Sequence, residues 1–322
     1  MDTPPIQKEA AKFHTTYHHY DEILRWLEAQ AAAHPSKATL RFAGPVPILT
    51  LRADATDSTS LPQAWIQGGI HPCERIGPAV VMRLISELLR APQLLALAEW
   101  HFAPVVETEG YKITWESDRW HKGCPSGVNP NGNFPFHWGE LSVVHKLLQY
   151  LFPALLNIGV EPGSEPSVKA VISELRLRTN LRLFLDFHAF GARWLYPWAY
   201  TSASSKDTEV HEAASRTAIE AANSIARRWE YKAIPAAAME APVGGTAMDF
   251  AYGELGCIHS YTVELPPELP EAVLGALVRS LEAGDPKLVW KEGMNLSHEH
   301  IVAVGDEVTL AVKALAELAL RP

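Results

Sequence analysis

Apolar residues recur along this chain with two distinct periods. In "YDEILRWLEAQAAAH", Ile23, Leu24, Leu27 and Ala31 fall on one face, which predicts an amphipathic helix. "TLRFAG", "PILTLRAD" and "AWIQGGI" follow as strand-like segments, and "IGPAVVMRLISELLRA" predicts a helix with Pro78 tolerated in its first turn. "WHFAPVV", "LRLFLDF", "RWLYPWAY" and "CIHSYTVEL" read as further strands. Between and after them, "GELSVVHKLLQYLFPALL", "PSVKAVISELRLRTN", "TEVHEAASRTAIEAANSIARRWE", "PEAVLGALVRSL" and "EVTLAVKALAELAL" read as helices. Strands alternating with helices predict a parallel or mixed sheet covered on both faces. The segment from Glu107 to Trp138, rich in Trp, Gly, Pro and Asn, is expected to be irregular. Irregular stretches of that length in compact domains usually serve function. With no repeat or domain-length linker, residues 1–322 are expected to form one α/β domain.

Composition narrows the function classes. Hydrophobic residues make up 47% of the chain and charged residues 20%, enough for a substantial core. A net charge of −9 gives no basis for binding nucleic acid or an anionic membrane surface. Three cysteines, Cys73, Cys124 and Cys257, are too few for a disulfide framework and fit a reducing compartment. The first twenty residues lack the basic and apolar regions of a signal peptide, and no run reaches the roughly 20 apolar residues of a membrane span. A cytoplasmic location is the expectation.

The chemistry concentrates at strand ends. A histidine and a carboxylate three residues apart can converge on one metal ion, and three such pairs occur: His19/Glu22, His71/Glu74 and His137/Glu140. With 14 histidines, spacing alone selects none of them. His19 and Glu22 open a surface helix, and Glu140 suits the first turn of a helix. His71 and Glu74 instead follow an apolar strand and Gly68-Gly69, the kind of position where open α/β sheets gather ligands. His188, two residues after Asp186, closes the apolar run "LRLFLDFH", and Glu264 closes "IHSYTVE". Two histidines, one carboxylate and an open position make a catalytic zinc set, and a further carboxylate supplies the base that metal-assisted hydrolysis needs. The same ligand types also serve non-haem iron oxygenases, which leaves the metal open at this level.

Together these segments resemble the zinc carboxypeptidases of the M14 metallopeptidase type over most of the chain. "GGIHPCE" is similar to the family's zinc pair, with His71 and Glu74 at the ligand positions; "DFHAFGARWLYPW" places His188 as third ligand; "SYTVEL" places Glu264 as acid/base. "GGTAMDFAYGELG", "VVETEGYKITW" and "GVNPNGNFPFHWG" resemble three further family segments. The resemblance implies a mixed sheet of about eight strands between helices, one Zn2+ ion, and hydrolysis of an amide bond with Glu264 carrying the proton.

It also exposes departures. Asn131-Gly132 stands where the family has Asn-Arg, so the arginine that grips a substrate's terminal carboxylate is replaced by Gly132. Asn129 replaces the aspartate that orients the first histidine. The family's substrate-facing tyrosine falls near Met239 and Glu240. "SDRWHKG" offers Arg119, His121 and Lys122 for the oxyanion-stabilising cation, with Arg119 the first choice. Asn131, Gly132, Glu240 and Met248 are the expected substrate-facing residues. Peptides and N-acyl amino acids are both candidate substrates, the latter implying a deacylase of the desuccinylase or aspartoacylase type. A relative that binds zinc without catalysis is the remaining alternative.

Overall fold

The computed structural model describes residues 13–53, 61–143, 145–147, 157–226, 228–239, 241–268, 294 and 296–321. Eight strands among them form one sheet: β1 Ala38–Ala43, β2 Val46–Leu51, β3 Gln63–Gly68, β4 Glu99–Ala103, β5 Leu181–Gly191, β6 Arg193–Tyr196, β7 Lys232–Pro235 and β8 His259–Glu268. Their order is β1-β2-β4-β3-β5-β8-β6-β7. The four central strands β4, β3, β5 and β8 run parallel, while β1, β2 and β6 introduce antiparallel pairs. The mixed sheet is the one expected; β7, a four-residue strand with only two apolar positions at its centre, is additional.

The longer helices are α1 Tyr20–Ala33, α2 Ile76–Arg90, α3 Thr108–Glu116, α4 Pro166–Arg176, α5 Thr208–Asn223 and α6 Ile301–Ala319. α3 lies inside the segment expected to be irregular. Glu107 accepts from the Gly110 amide at 3.2 Å and caps it. α5 stops at Asn223, short of the Glu230 that the apolar pattern suggested, and α6 begins earlier, at Ile301. The helix expected within 270–281, and most of the one expected within 139–156, lie outside the described residues.

Strand alternation sorts residues onto two faces. Ala64, Ile66, Leu183, Leu185, Phe187, Tyr261, Val263 and Leu265 pack with α1, α2, α5 and α6 on one side. Trp65 and Phe184 pack with α4 and with Ala247 and Phe250 on the other. Gln67, Asp186, His188, Thr262 and Glu264 continue the rows of this second face toward the carboxyl ends of the parallel strands. Neither His188 nor Glu264 sits at a strand tip, as their sequence contexts had suggested. β5 runs on to Gly191 and β8 to Glu268, and His188 and Glu264 are direct register partners inside the sheet.

Candidate metal centre and active site

β3 ends at Gly68, and Gly69, at φ +60°, turns the chain so that His71 and Glu74 face the end of β5. The positive φ is the reason a glycine stands there. α2 starts two residues after Glu74 and lies close on the sheet. A Cβ at Gly77 would sit 2.6 Å from the Phe187 carbonyl oxygen. These contacts fix the distance between Glu74 and His188.

His71, Glu74 and His188 each present one ligand atom within 4.8 Å of the others, all three residues being buried. His71 Nδ1 lies 2.9 Å from Glu74 Oε1, His188 Nδ1 lies 3.1 Å from Glu74 Oε2, and the two Nδ1 atoms are 3.1 Å apart. Asn129 Oδ1 accepts from the Asn131 amide at 3.1 Å and also meets His71 Nε2 at 2.9 Å. Because that oxygen accepts, His71 Nε2 carries the proton and Nδ1 presents a lone pair. His188 Nε2 lies 3.0 Å from Asp186 Oδ2, at an angle too poor for a good hydrogen bond. Each His188 nitrogen faces a carboxylate, Nε2 that of Asp186 and Nδ1 that of Glu74; with a cation in the cluster the proton stays on Nε2 and Nδ1 turns its lone pair to the cation. Two ring nitrogens and a carboxylate crowd one point, an arrangement that a cation would hold together. Ligands about 2.0–2.1 Å from a tetrahedral zinc stand roughly 3.3 Å apart, close to these separations. The donor set fits zinc.

The electrostatics agree. Burial pushes the His71 pKa down, keeping the ring neutral as a ligand must be. Burial opposes ionisation of Glu74, but the two imidazoles outweigh it and hold the carboxyl well below its usual range. Burial also opposes charging His188, yet the Asp186 and Glu74 carboxylates override it and raise its pKa well above that of a free imidazole. That rise reports the negative potential a cation at this point would meet.

The other His/Glu pairs have different explanations. His19 and Glu22 form a capping box at the start of α1, the His19 amide donating to Glu22 at 2.9 Å. His137 and Glu140 pair at 2.7 Å on the surface. Cys73, between two ligand positions, turns its thiol into the core, 3.5 Å from the Met294 sulfur.

The remaining expected residues are placed as follows. Arg119 directs its guanidinium to the carbonyls of Cys73, at 2.8 Å, and Met294, at 3.4 Å. In the same loop, the Lys122 ammonium stands 3.7 Å from Glu74 Oε1, a cation beside the cluster that sequence reasoning ranked behind Arg119. Asn131 Oδ1 accepts from the Ala247 amide at 2.9 Å and ties two loops together. Gly132 is buried, and a Cβ there would meet the Ile158 methyl at 2.9 Å. Trp138 and Asn133 both donate to the Ile158 carbonyl, at 3.1 and 2.7 Å, so this neighbour is held. Met248 does not line an accessible pocket as expected: at 1% exposure it packs with Leu195, Ala199 and Ala236, because the adjacent Asp249 accepts from Ala199 and Tyr200 and draws the segment inward. Glu240 lies outside the described residues.

Residues 23–302 match the family model described as zinc carboxypeptidase. Carboxypeptidase B of Astacus astacus is 29% identical over 273 residues, covering 78% of this chain and 86% of that protein. Carboxypeptidase B2 of Homo sapiens is 28% identical over 312 residues, covering 88% and 72%. Among solved structures, bovine thrombin-activatable fibrinolysis inhibitor, in complex with tick carboxypeptidase inhibitor, matches with a TM-score of 0.80 at 24% identity, over 95% of this chain and 98% of that one. Carboxypeptidase A of Helicoverpa armigera matches at 0.81 and 20% identity, over 95% and 74%. The structural likenesses speak for the fold; the family model and the sequence relatives speak for zinc and hydrolysis, and they do not favour the deacylase or non-catalytic alternatives. The chain belongs to the M14 zinc carboxypeptidase family and is a zinc-dependent, metallocarboxypeptidase-like hydrolase.

Proposed function

We propose that His71, Glu74 and His188 hold the zinc ion, that Glu264 carries the proton in peptide-bond hydrolysis, and that Lys122 takes the oxyanion-stabilising role first assigned to Arg119. The convergence of three lone-pair donors, with Glu264 in register with one of them, carries this reading. Paired strands stand about 4.8 Å apart, so Glu264 is a strand's width from the third ligand. Bound zinc supplies a Lewis acid for the scissile carbonyl and lowers the pKa of a water from about 16 to about 7. Glu264 receives a proton from the attacking water and returns it to the leaving nitrogen. The Lys122 ammonium faces negative charge developing on the carbonyl oxygen, where a preorganised donor contributes about 3–4 kcal/mol. Gly132 offers no charge to a terminal carboxylate, and Ile158 occupies the space beside it. Recognition of the leaving residue therefore rests less on a carboxylate clamp than an arginine at 132 would make it.

Replacing Glu264 by glutamine keeps size and shape while removing the base. We expect Glu264→Gln to retain stoichiometric zinc by metal analysis and to lose about 10²–10⁴-fold in kcat on peptide substrates. Turnover at the parental rate removes Glu264 from the mechanism. The same assay on Lys122→Ala should lower kcat with zinc affinity unchanged. A fall in zinc affinity alone makes Lys122 only a partner of Glu74.

A further inference from the structure

We infer that Asp186 is a positioning residue of the metal site, and that negative charge supports the zinc through His188 instead of through His71. The inference rests on the zinc reading above and concerns what stands behind each imidazole. Behind His71 stands a neutral amide, Asn129 Oδ1 at 2.9 Å. Behind His188 stands a full carboxylate, Asp186 Oδ2 at 3.0 Å. The two histidines are thus oriented by oxygens of different charge.

Asp186 is 0% exposed, in the middle of β5, and neither of its oxygens completes a well-angled hydrogen bond. An isolated buried carboxylate is strongly disfavoured unless a cation compensates it. The group it faces is the imidazole whose far nitrogen points at the ligand cluster. Gln67 sits opposite Asp186 in the β3/β5 register, on the same face. Its Oε1 is taken by the Trp65 indole at 2.8 Å, and its buried Nε2 lacks a partner. The polar row at this depth is therefore incompletely satisfied within the protein. A carboxylate this close to Nε2 of His188 favours the tautomer that exposes Nδ1 and, through its charge, makes that nitrogen a stronger donor. Asn129 fixes the tautomer of His71 but adds no charge.

The test compares the parent with Asp186→Asn, Asn129→Asp and the double variant. Zinc affinity is measured by chelator competition, and the visible spectrum of the cobalt-substituted protein reports ligand geometry independently of turnover. Circular dichroism and thermal melting establish folding. We expect Asp186→Asn to fold and to bind zinc about 10–100-fold more weakly, with a shifted cobalt spectrum. Adding Asn129→Asp should recover most of that loss, because a carboxylate is then restored behind the other imidazole. Zinc binding by Asp186→Asn within about threefold of the parent overturns the inference, as does a loss that Asn129→Asp leaves unrepaired, which assigns Asp186 to local packing. If Asp186→Asn does not fold, Asp186→Ser provides the same comparison with a smaller neutral side chain. Failure of the parent itself to bind zinc is a different outcome and refutes the zinc reading.

Discussion

Adding one methyl group at Gly77 should damage the metal centre more than it damages the fold. The new Cβ would lie 2.6 Å from the Phe187 carbonyl oxygen and 3.5 Å from the Gly69 amide nitrogen. A comfortable carbon–oxygen contact is about 3.3 Å or more, so α2 must retreat by roughly 0.7 Å. Both neighbours are backbone and cannot rotate away. For stability, two effects oppose each other. Alanine gains up to about 1 kcal/mol over glycine in a helix interior, and less at this first turn. Overpacking of this kind costs about 1–3 kcal/mol. The net expectation is a loss of about 1–2 kcal/mol, or a melting temperature lower by a few degrees. The site is less tolerant. Gly77 donates its amide to the Glu74 carbonyl at 3.1 Å, so Glu74 moves with the helix, while His188 stays with β5 beside Phe187. Ligand geometry must hold to within about 0.5 Å, so zinc affinity should fall tenfold or more. Chelator competition on folded Gly77→Ala gives the affinity, and thermal melting in excess zinc gives the stability. A folded variant with parental zinc affinity refutes the claim that this contact sets the Glu74–His188 distance.

Two further substitutions test the surrounding loops. Gly132→Arg should not by itself create a preference for substrates with a free terminal carboxylate over their C-terminal amides, because Ile158 occupies the exit of the side chain; Gly132→Arg with Ile158→Ala should raise that kcat/KM ratio at least about tenfold through a bidentate pair, and equal gains from the single variant sink the argument. Asp249 is buried, which lifts its pKa to about 6 against the opposing backbone donors Ala199 and Tyr200. Its folded pKa is above its unfolded one, so its contribution is fully present below about pH 4 and is lost as pH rises through about 6, a change of about 3 kcal/mol. Asp249→Asn should remove that decline from denaturant-unfolding curves measured between pH 4 and 7, and an unchanged slope shows that Asp249 does not titrate in this range.

The architecture was largely legible because most strands are apolar stretches of strand length and α1, α2 and α4 carry a clear helical period. β7 was not, since "KAIP" is too short for periodicity to separate from a loop. α3 was hidden by the Gly, Trp and charged residues around it. Its cap depends on Glu107, and its Gly110 is demanded by a neighbour: a Cβ there would meet the Gly123 carbonyl oxygen at 2.6 Å. The convergence of His71, Glu74 and His188 was readable because the first two follow an apolar strand and the third lies within one. That Lys122 and not Arg119 stands beside the cluster was not, because Arg119 is turned away by carbonyls at Cys73 and Met294, one of them 175 positions away. Met248 was misplaced for a related reason, since the hydrogen bonds that bury its neighbour come from the loop after β6.

Asp186 shows what sequence spacing omits. Along the chain it is only a residue two places before a histidine. In the sheet, the alternation of β5 and its parallel registers place Gln67, Asp186 and Thr262 in one polar row, with His188 and Glu264 in the next. The opposite faces of the same strands carry Phe187, Val263 and Leu265 into the core with α2 and α6. A one-residue slip of β8 against β5 would therefore exchange Glu264 for an apolar side chain and turn the carboxylate into the helix layer. The packing that fixes register thus also fixes Glu264 beside His188. Gly132, where the chain departs from the family, lies outside the sheet, whereas His188 and Glu264 are held by pairing within it and His71 and Glu74 by the turn that follows β3.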